Sequence, residues 1–385
     1  MVLLIFVSIL FISYASVIFF YTRSWKQFAC YKLNTVNPDH SINFSVIIPA
    51  RNEEDNICKL LEALQNQTYP KHLFEIIVVD DHSTDNTARL VNEFAGVPTN
   101  IKLVRLQKET LNSYKKKAIE VGIAVAQNNW IVCTDADCVV PKTWLSTYAN
   151  FITENDPVFI AAPVCFTPRF FSAEKRNSAL FVFQTLDFMT LQGITAASVF
   201  KKVHSMCNGA NLAYKKDTFY EVNGFKGIDD IASGDDMLLM HKIWKKFPKK
   251  IAYLKSTAAI VETLAASTWK DFFNQRIRWA SKAKHYDDKR IFWVLLLVYL
   301  FNFSFLVLAI ASFLNLKFLF ALLILWVAKT MIEFPFIKNV SKFFNQQELL
   351  KYFLYFQPLH IAYTIISGFL GSFGKYEWKG RSFKS

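Results

Sequence analysis

Two long apolar runs bracket this chain and leave mainly its middle to fold in water. Val2 to Tyr21 contains no charged side chain, and Ile291 to Phe334 carries only Lys317, Lys329 and Glu333. Crossing about 30 Å of hydrocarbon takes roughly 20 helical residues, so each run is long enough to span a bilayer. They account for a content of 52% hydrophobic and 16% aromatic residues, high for a chain soluble throughout. The first run is longer than the apolar core of a secretory signal, and no small-residue cleavage site closes it, so it reads as a retained anchor over residues 1–22. Arg23, Lys26 and Lys32 follow at once, and basic residues beside a span favour the cytosolic side. The middle of the chain is therefore expected in the cytosol, with the whole an integral membrane protein of a bacterial inner membrane.

The second run divides into a helical hairpin, Ile291 to Ser312 and Leu316 to Phe334, which would return Lys338 and Lys342 to the cytosol. A further apolar stretch, Tyr352 to Phe373, contains Gln357, Pro358 and His360. If it crosses completely, the basic tail of Lys375, Lys379, Arg381 and Lys384 lies outside, against the positive-inside tendency. Either this stretch is re-entrant or interfacial, or another span is miscounted. Polar residues at membrane depth face protein or a cavity, so Gln357 and His360 are placed beside a path for a lipid acceptor.

The formal net charge is +13. Lysine and arginine are spread along the chain, with clusters flanking the apolar ends, which suits anionic headgroups and argues against a nucleic-acid partner. The six cysteines (Cys30, Cys58, Cys133, Cys138, Cys165, Cys207) form no C-x-x-C pair and no Cys/His metal spacing, so they read as buried free thiols of a reducing compartment.

From Asn43 the pattern changes to short β-branched runs alternating with helical stretches, the mark of an α/β domain with a parallel sheet covered by helices. Phe44 to Pro49, Glu75 to Asp80, Ile101 to Leu106 and Trp130 to Thr134 are the expected strands. Ile57, Leu60, Leu61 and Leu64 recur at helical spacing between the first two, with Asn52 to Asp55 as cap and acidic first turn. Ile119, Gly122, Ile123 and Ala126 repeat that spacing before the fourth strand. Ligands of such sheets bind beyond the carboxyl ends of the strands. There the sequence puts Ala50-Arg51-Asn52-Glu53, Asp80-Asp81-His82-Ser83 and Asp135-Ala136-Asp137. Carboxylates spaced D-x-D can hold Mg2+ or Mn2+ while leaving positions open for diphosphate oxygens.

Several separate stretches together resemble the family 2 glycosyltransferases of the GT-A fold, in their membrane-bound branch: Ser45-Val-Ile-Ile-Pro-Ala-Arg-Asn-Glu53, Ile77-Val-Val-Asp-Asp81, Thr134-Asp-Ala-Asp-Cys138, Cys207-Asn-Gly-Ala-Asn211, Ser233-Gly-Asp-Asp236 and Gln275-Arg-Ile-Arg-Trp279. The resemblance covers roughly residues 42–285. It implies a GT-A sheet with helices on both faces, and a metal-dependent, inverting transfer of a hexosyl or N-acetylhexosaminyl group from a nucleotide-sugar, UDP-linked as is common in the family, to a lipid or lipid-linked glycan. It further implies that Arg51, Glu53, Asp80 and Asp81 border the nucleoside and that Lys115 approaches the diphosphate. Asp137 would be the principal metal ligand, Asp135 would contact the nucleotide sugar and help hold the metal, and Asp236 would be the catalytic base. The family more often has Glu-Asp where this chain has Asp235-Asp236, so Asp235 stands as a second candidate. A helix start capped by Ser233 and charged in its first turn would use the same residues.

In the last motif Gln275, Arg278 and Trp279 share one helical face, while Trp269, Phe272, Phe273, Ile277 and Ala280 make a broader apolar surface suited to a membrane interface. The resemblance implies that Gln275, Arg278 and Trp279 close over donor and acceptor; a Trp anchored at headgroup level is the plain alternative. Asn208 and Asn211 either line the acceptor site or form an Asn-Gly turn. His82, His204 and His241 read as surface or core residues. Phe166 to Val203, rich in aromatics, reads as a second interfacial helix or a core helix. The expected organisation is an anchor at 1–22, a cytosolic GT-A catalytic domain at 42–265, an amphipathic interfacial helix at 266–290, two or three hydrophobic segments at 291–373 and a basic tail at 374–385.

Three other functions compete. A processive polysaccharide synthase of the chitin, hyaluronan or cellulose type shares the Gln-x-x-Arg-Trp signature but needs more spans to enclose a channel. A nucleotidyltransferase would carry a glycine-rich loop where this chain has Ala50-Arg51-Asn52-Glu53. A non-catalytic membrane scaffold would have no use for acids after successive strands.

Overall fold

The structure is a computed structural model that describes residues 1–34, 41–95, 100–107, 114–167, 178–203, 206–231, 233–282, 286, 288–373, 375–378 and 381–384. In chain order the helices are α1 (Val2–Gln27), α2 (Ile57–Gln65), α3 (Thr87–Ala95), α4 (Tyr114–Val125), α5 (Trp144–Asn155), α6 (Ala179–Phe200), α7 (Lys216–Glu221), α8 (Met237–Lys246), α9 (Trp269–Ser281), α10 (Lys289–Ser312), α11 (Leu316–Phe343) and α12 (Phe353–Phe373). The strands are β1 (Phe44–Ala50), β2 (Phe74–Asp80), β3 (Ile101–Arg105), β4 (Trp130–Cys133), β5 (Phe159–Ala161), β6 (Val164–Phe166), β7 (Leu212–Lys215), β8 (Ile251–Tyr253), β9 (Val261–Thr263), β10 (Lys375–Trp378) and β11 (Arg381–Lys384). They form two compact units, one of Ala29–Thr167 and Ser205–Leu264, the other of Met1–Phe28, Pro168–His204 and Ala265–Ser385. The segment 168–204, read within the 42–265 stretch, thus belongs to the unit that also holds both apolar ends.

The first unit is built on a seven-stranded sheet of order β3-β2-β1-β4-β7-β5-β8. β1, β2, β3 and β4 run parallel, and β7 is antiparallel to both neighbours. Val46, Ile47, Ile48, Ile76, Ile77, Val78 and Val79 are all fully buried, as β-branched strands covered on both faces must be. The four buried positions of α2 are the four expected from its spacing. Its cap is not: the helix starts after Asn56, and Asn52 to Asp55 lace into the neighbouring loop. The strands after β4 went unread, being three or four residues long. β6 and β9 pair in a separate two-stranded sheet. Cys133 and Cys138 are buried, and burial pushes the Cys133 thiol up to about 12. Cys30 is exposed and the other three cysteines are half-buried, so only two of the six fit the expectation of buried thiols.

The second unit is helical. Among the described residues four helices are long and apolar enough to cross a membrane: Val2–Gln27, Lys289–Ser312, Leu316–Phe343 and Gln347–Ser372. Helices associating in lipid gain from small residues at their crossings and from shared polar groups. Both devices occur. A Cβ added to Gly371 on α12 would lie 2.5 Å from the Ala280 Cβ on α9, so only glycine permits that approach. Lys329 on α11, fully buried, sits 2.7 Å from Glu333 one turn on and donates to the Gln357 Oε1 on α12 at 2.6 Å. Gln357 donates back to Glu333 at 2.8 Å, and the Tyr14 hydroxyl on α1 donates to the same carboxylate.

Candidate functional site

Parallel pairing brings the exits of β1, β2 and β4 to one edge. Ala50 lies in register with Asp80, and Ile47 with Cys133. The strand order reverses between β1 and β4, the switch point at which open sheets leave a crevice.

The loops after β1 and β2 knit together there. Arg51 donates to the Asp81 backbone oxygen at 2.8 Å and lies 3.8 Å from its carboxylate. Asn52 and His82 both take left-handed backbone angles, φ 51° and 54°. The Asn52 side-chain oxygen accepts from the Thr84 N–H at 2.9 Å, and the Thr87 hydroxyl accepts from the Glu53 N–H at 2.8 Å. Asp80 accepts from the Ser83 N–H at 3.3 Å. The His82 ring lies between the Asp81 carboxylate at 2.9 Å and the Gln107 oxygen at 3.1 Å. Sequence reading left His82 as a surface or core residue; its place beside Asp-Asp was the available signal. His241 is buried, and His204 lies outside the described residues.

Lys115 joins the β4 exit to the later acidic pair, although Asp235 lies 120 positions beyond Lys115 and 100 beyond Asp135 in the sequence. Its Nζ is 2.7 Å from Asp135 and 3.2 Å from Asp235. Burial by itself would lower the ammonium, but the attraction of Asp135 and Asp235 holds it above the ordinary lysine range. Asp236 is fixed by two backbone donors, Met237 N at 2.7 Å and Gly209 N at 3.1 Å. A Cβ on Gly209 would meet the Asp235 carboxylate at 3.2 Å and the Lys115 Nζ at 3.3 Å, so a glycine is what lets the 208–211 turn sit against this cluster. The helix cap of α8 is Asp236 itself, not Ser233.

The two asparagines of that turn differ. Asn208 closes it, its side-chain oxygen accepting from the Ala210 N–H at 3.0 Å. Asn211, expected at the acceptor, is fully buried. Its oxygen accepts from Trp144 Nε1 (3.0 Å) and the Tyr148 hydroxyl (2.8 Å), and its amide donates to the oxygens of Pro163 (2.7 Å) and Ala259 (2.8 Å). Two donors and two acceptor lone pairs are all a primary amide has, so Asn211 ties α5 to the loops at Pro163 and Ala259 and is corrected from ligand contact to scaffold.

Gln275, Arg278 and Trp279 lie on α9, in the helical unit. The buried cation of that helix is Arg276, which the sequence reading passed over. It stands 2.7 Å from Asp187 on α6, both almost fully buried, and the Tyr363 hydroxyl of α12 donates to the same carboxylate. Gln275 accepts from Arg276 at 3.3 Å, and the guanidinium lies 4.2 Å from the centre of the Trp279 ring, a cation–π approach. Two motif residues thus hold their neighbour. The one warning in the sequence was Asp187, a lone acid within an apolar helix.

Residues 45–222 match the family model described as glycosyl transferase family 2. The probable glycosyltransferase YdaM of Bacillus subtilis is 31% identical over 238 residues, 61% of this chain and 54% of that protein. The poly-beta-1,6-N-acetyl-D-glucosamine synthase of Staphylococcus aureus is 26% identical over 266 residues, 69% of this chain and 60% of that one. The matches therefore span little more than half the length of these relatives. Among solved structures, the mannosyltransferase PcManGT of Pyrobaculum calidifontis, in complex with GDP-Man and Mn2+, covers 93% of this chain and 99% of its own with a TM-score of 0.60 at 18% identity, a likeness of fold. With its mixed sheet and the acids at one edge, the chain has a GT-A fold, and its residues 45–222 are similar to glycosyl transferase family 2.

Proposed function

We propose that this chain is an inverting glycosyltransferase that moves a sugar from a nucleotide-sugar to a lipid or lipid-linked glycan at the cytosolic face of a membrane. The observation that carries it is the single cluster in which Lys115 meets both Asp135 and Asp235, with Asp236 held next to it through Gly209. Displacing a nucleoside diphosphate from an anomeric carbon builds negative charge on the leaving group, and the attacking hydroxyl must lose a proton on the opposite face. One acid-rich edge that also holds a fixed cation can serve both needs.

In this reading Arg51, Glu53, Asp80 and Asp81 border the nucleoside, and the interlaced loops keep them in place before it arrives. Lys115 neutralises diphosphate charge. Asp236 accepts the proton; a backbone N–H on each of its oxygens fixes the plane of the carboxylate, whereas Asp235 is drawn to Lys115. Asp137, with Asp135, fits a hard divalent cation by the chemistry of the pair: Mg2+ or Mn2+ needs only one or two carboxylates when phosphate oxygens complete its shell. Such an ion supplies Lewis-acid stabilisation of the departing diphosphate. Gln275, Arg278 and Trp279, with Asn208, are assigned to acceptor recognition. The four candidate spans support membrane attachment, and Arg23 and Lys26 near the carboxyl end of the first support a cytosolic domain in a bacterial inner membrane.

The likeness to a poly-N-acetylglucosamine synthase favours a second reading, repeated transfer to a growing polymer. Purified full-length protein is to be screened with UDP- and GDP-sugars for diphosphate release with and without Mn2+. We expect release that requires metal and falls at least 100-fold in Asp137→Ala; full activity in that variant would refute the reading. Product length, one added sugar or a ladder, separates single from processive transfer.

A further inference from the structure

Adjacent lysines open α4 and point at different chemistry. Lys115 meets carboxylates. Lys116 is 2% exposed, and its Nζ donates to the backbone oxygens of Ile228 at 2.5 Å, Ile231 at 2.7 Å and Ser233 at 3.0 Å. An ammonium has three N–H donors, and three carbonyl oxygens at these distances engage all of them. A buried charge is costly unless it is so satisfied, and no apolar side chain could replace those three bonds. Lys116 therefore ropes the carbonyls of Ile228, Ile231 and Ser233 to the first turn of α4.

The segment carrying these carbonyls leads straight into Asp235 and Asp236. After Ser233 the backbone turns at Gly234 with φ +85°, where a Cβ would strike Leu238 at 2.9 Å. Asp235 then reaches Lys115, and Asp236 caps α8. The carboxylate pair is thus held to α4 twice, by its side chains through Lys115 and by its incoming backbone through Lys116. Arg51, Asp80, Asp81 and Asp137 follow other strands and do not depend on this loop.

We infer that Lys116 is a positioning residue for the acceptor-side half of the reaction: by clamping the carbonyls of Ile228, Ile231 and Ser233 it sets where the Asp235-Asp236 carboxylates point, without touching substrate. The inference rests on the glycosyl-transfer reading above. It separates nucleotide binding, set by the loops after β1, β2 and β4, from proton removal, set by the loop after Lys116's carbonyl partners. Because the second depends on orientation, losing the clamp lowers turnover and leaves donor affinity in place.

The test compares the wild-type full chain with Lys116→Met, which keeps the length of the stem and loses the ammonium, in detergent micelles. Titration with UDP and with GDP in Mn2+ counts competent nucleotide sites, and sugar transfer is expressed per site. We expect the site count and Kd to stay within about twofold while turnover per site falls at least tenfold. Amide exchange over 228–236 should quicken at least tenfold, with β1 and β2 unchanged. A variant that merely misfolds loses sites at constant turnover per site, and that result overturns the inference, as does turnover or exchange within twofold of wild type. Active wild type beside an unaffected variant defeats the inference alone; wild type that binds neither nucleotide and transfers no sugar defeats the functional reading with it.

Discussion

The chain sets a buried or half-buried lysine against carboxylates in two places, and the surroundings give the two pairs different uses. In the sheet unit Lys115 is 19% exposed and Asp135 32%. In the helical unit Lys329 is 0% exposed and Glu333 12%. The first cluster lies half-exposed at the edge where β1, β2 and β4 end, and in the proposed reading an incoming phosphate would exchange for one of its partners. The second is closed on itself: Lys329, Glu333, Gln357 and Tyr14 satisfy one another across three helices. The same residue types are therefore assigned to chemistry in one unit and to architecture in the other, and their exposure is the basis of that assignment.

The sharpest way to break this contrast is to neutralise one acid in each place. Asp236→Asn should lower kcat by about 10³, within the 10²–10⁴ usual for loss of a general base, with thermal unfolding unchanged. Steady-state transfer assays and a melting curve on one preparation check both halves; a melting point that drops with activity would make Asp236 a structural residue. Glu333→Gln should do the converse. Stranding the Lys329 charge costs about 3 kcal/mol, read as a lower unfolding midpoint, while turnover per folded molecule stays within about twofold. The paired change Lys329→Met with Glu333→Leu should recover most of that loss, because no charge is left without its partner.

The smallest effect lies away from both clusters. Glu75 accepts from the Ser45 hydroxyl at 2.7 Å, the Gln127 N–H at 2.6 Å and Lys102 at 3.0 Å. Burial would raise its carboxyl, but these donors pull it below the usual carboxylate range. A group with a depressed folded pKa stabilises the fold above its unfolded value near 4.3 and stops doing so as pH falls through the folded value. Glu75→Gln should therefore cost about 1 kcal/mol at neutral pH and nothing in strong acid. Unfolding midpoints across that range test the sign, and a cost that grows on acidification would contradict it.

Much of the sheet unit was legible because β1 and β2 are seven residues long, β-branched and buried almost throughout, and because β3 and β4 follow readable helical spacing or precede the acidic turn. Each began within one residue of its expected start. β5, β7 and β8 escaped, since three or four residues carry too little periodicity to separate a strand from a loop, and the antiparallel β7 lies between parallel neighbours. The acids at the strand ends stood out in the sequence because their positions follow from chain direction. Arg276 and Asp187 did not: hydrophobic pattern assigns a charged residue to solvent, and only a partner on a distant helix reverses that. Asn211 misled for a related reason. A turn-forming dipeptide near the cluster said nothing about four hydrogen bonds to α5 and to the loops at Pro163 and Ala259.

The chain visits the helical unit three times and the sheet unit twice. α1 leaves the ribosome before any strand exists, α6 is made in the middle of the sheet, and α10 to α12 come last. Two apolar helices must therefore wait, in lipid or with a chaperone, through the synthesis of roughly 70 further residues or more before later partners that seat them emerge. For the same reason no single cut frees a water-soluble catalytic piece: a fragment from 29 to 264 would carry α6 into solution with its neighbours removed. Dissection of this chain by truncation would measure that exposed helix, so the proposed activity is best sought with all 385 residues in a membrane or its mimic.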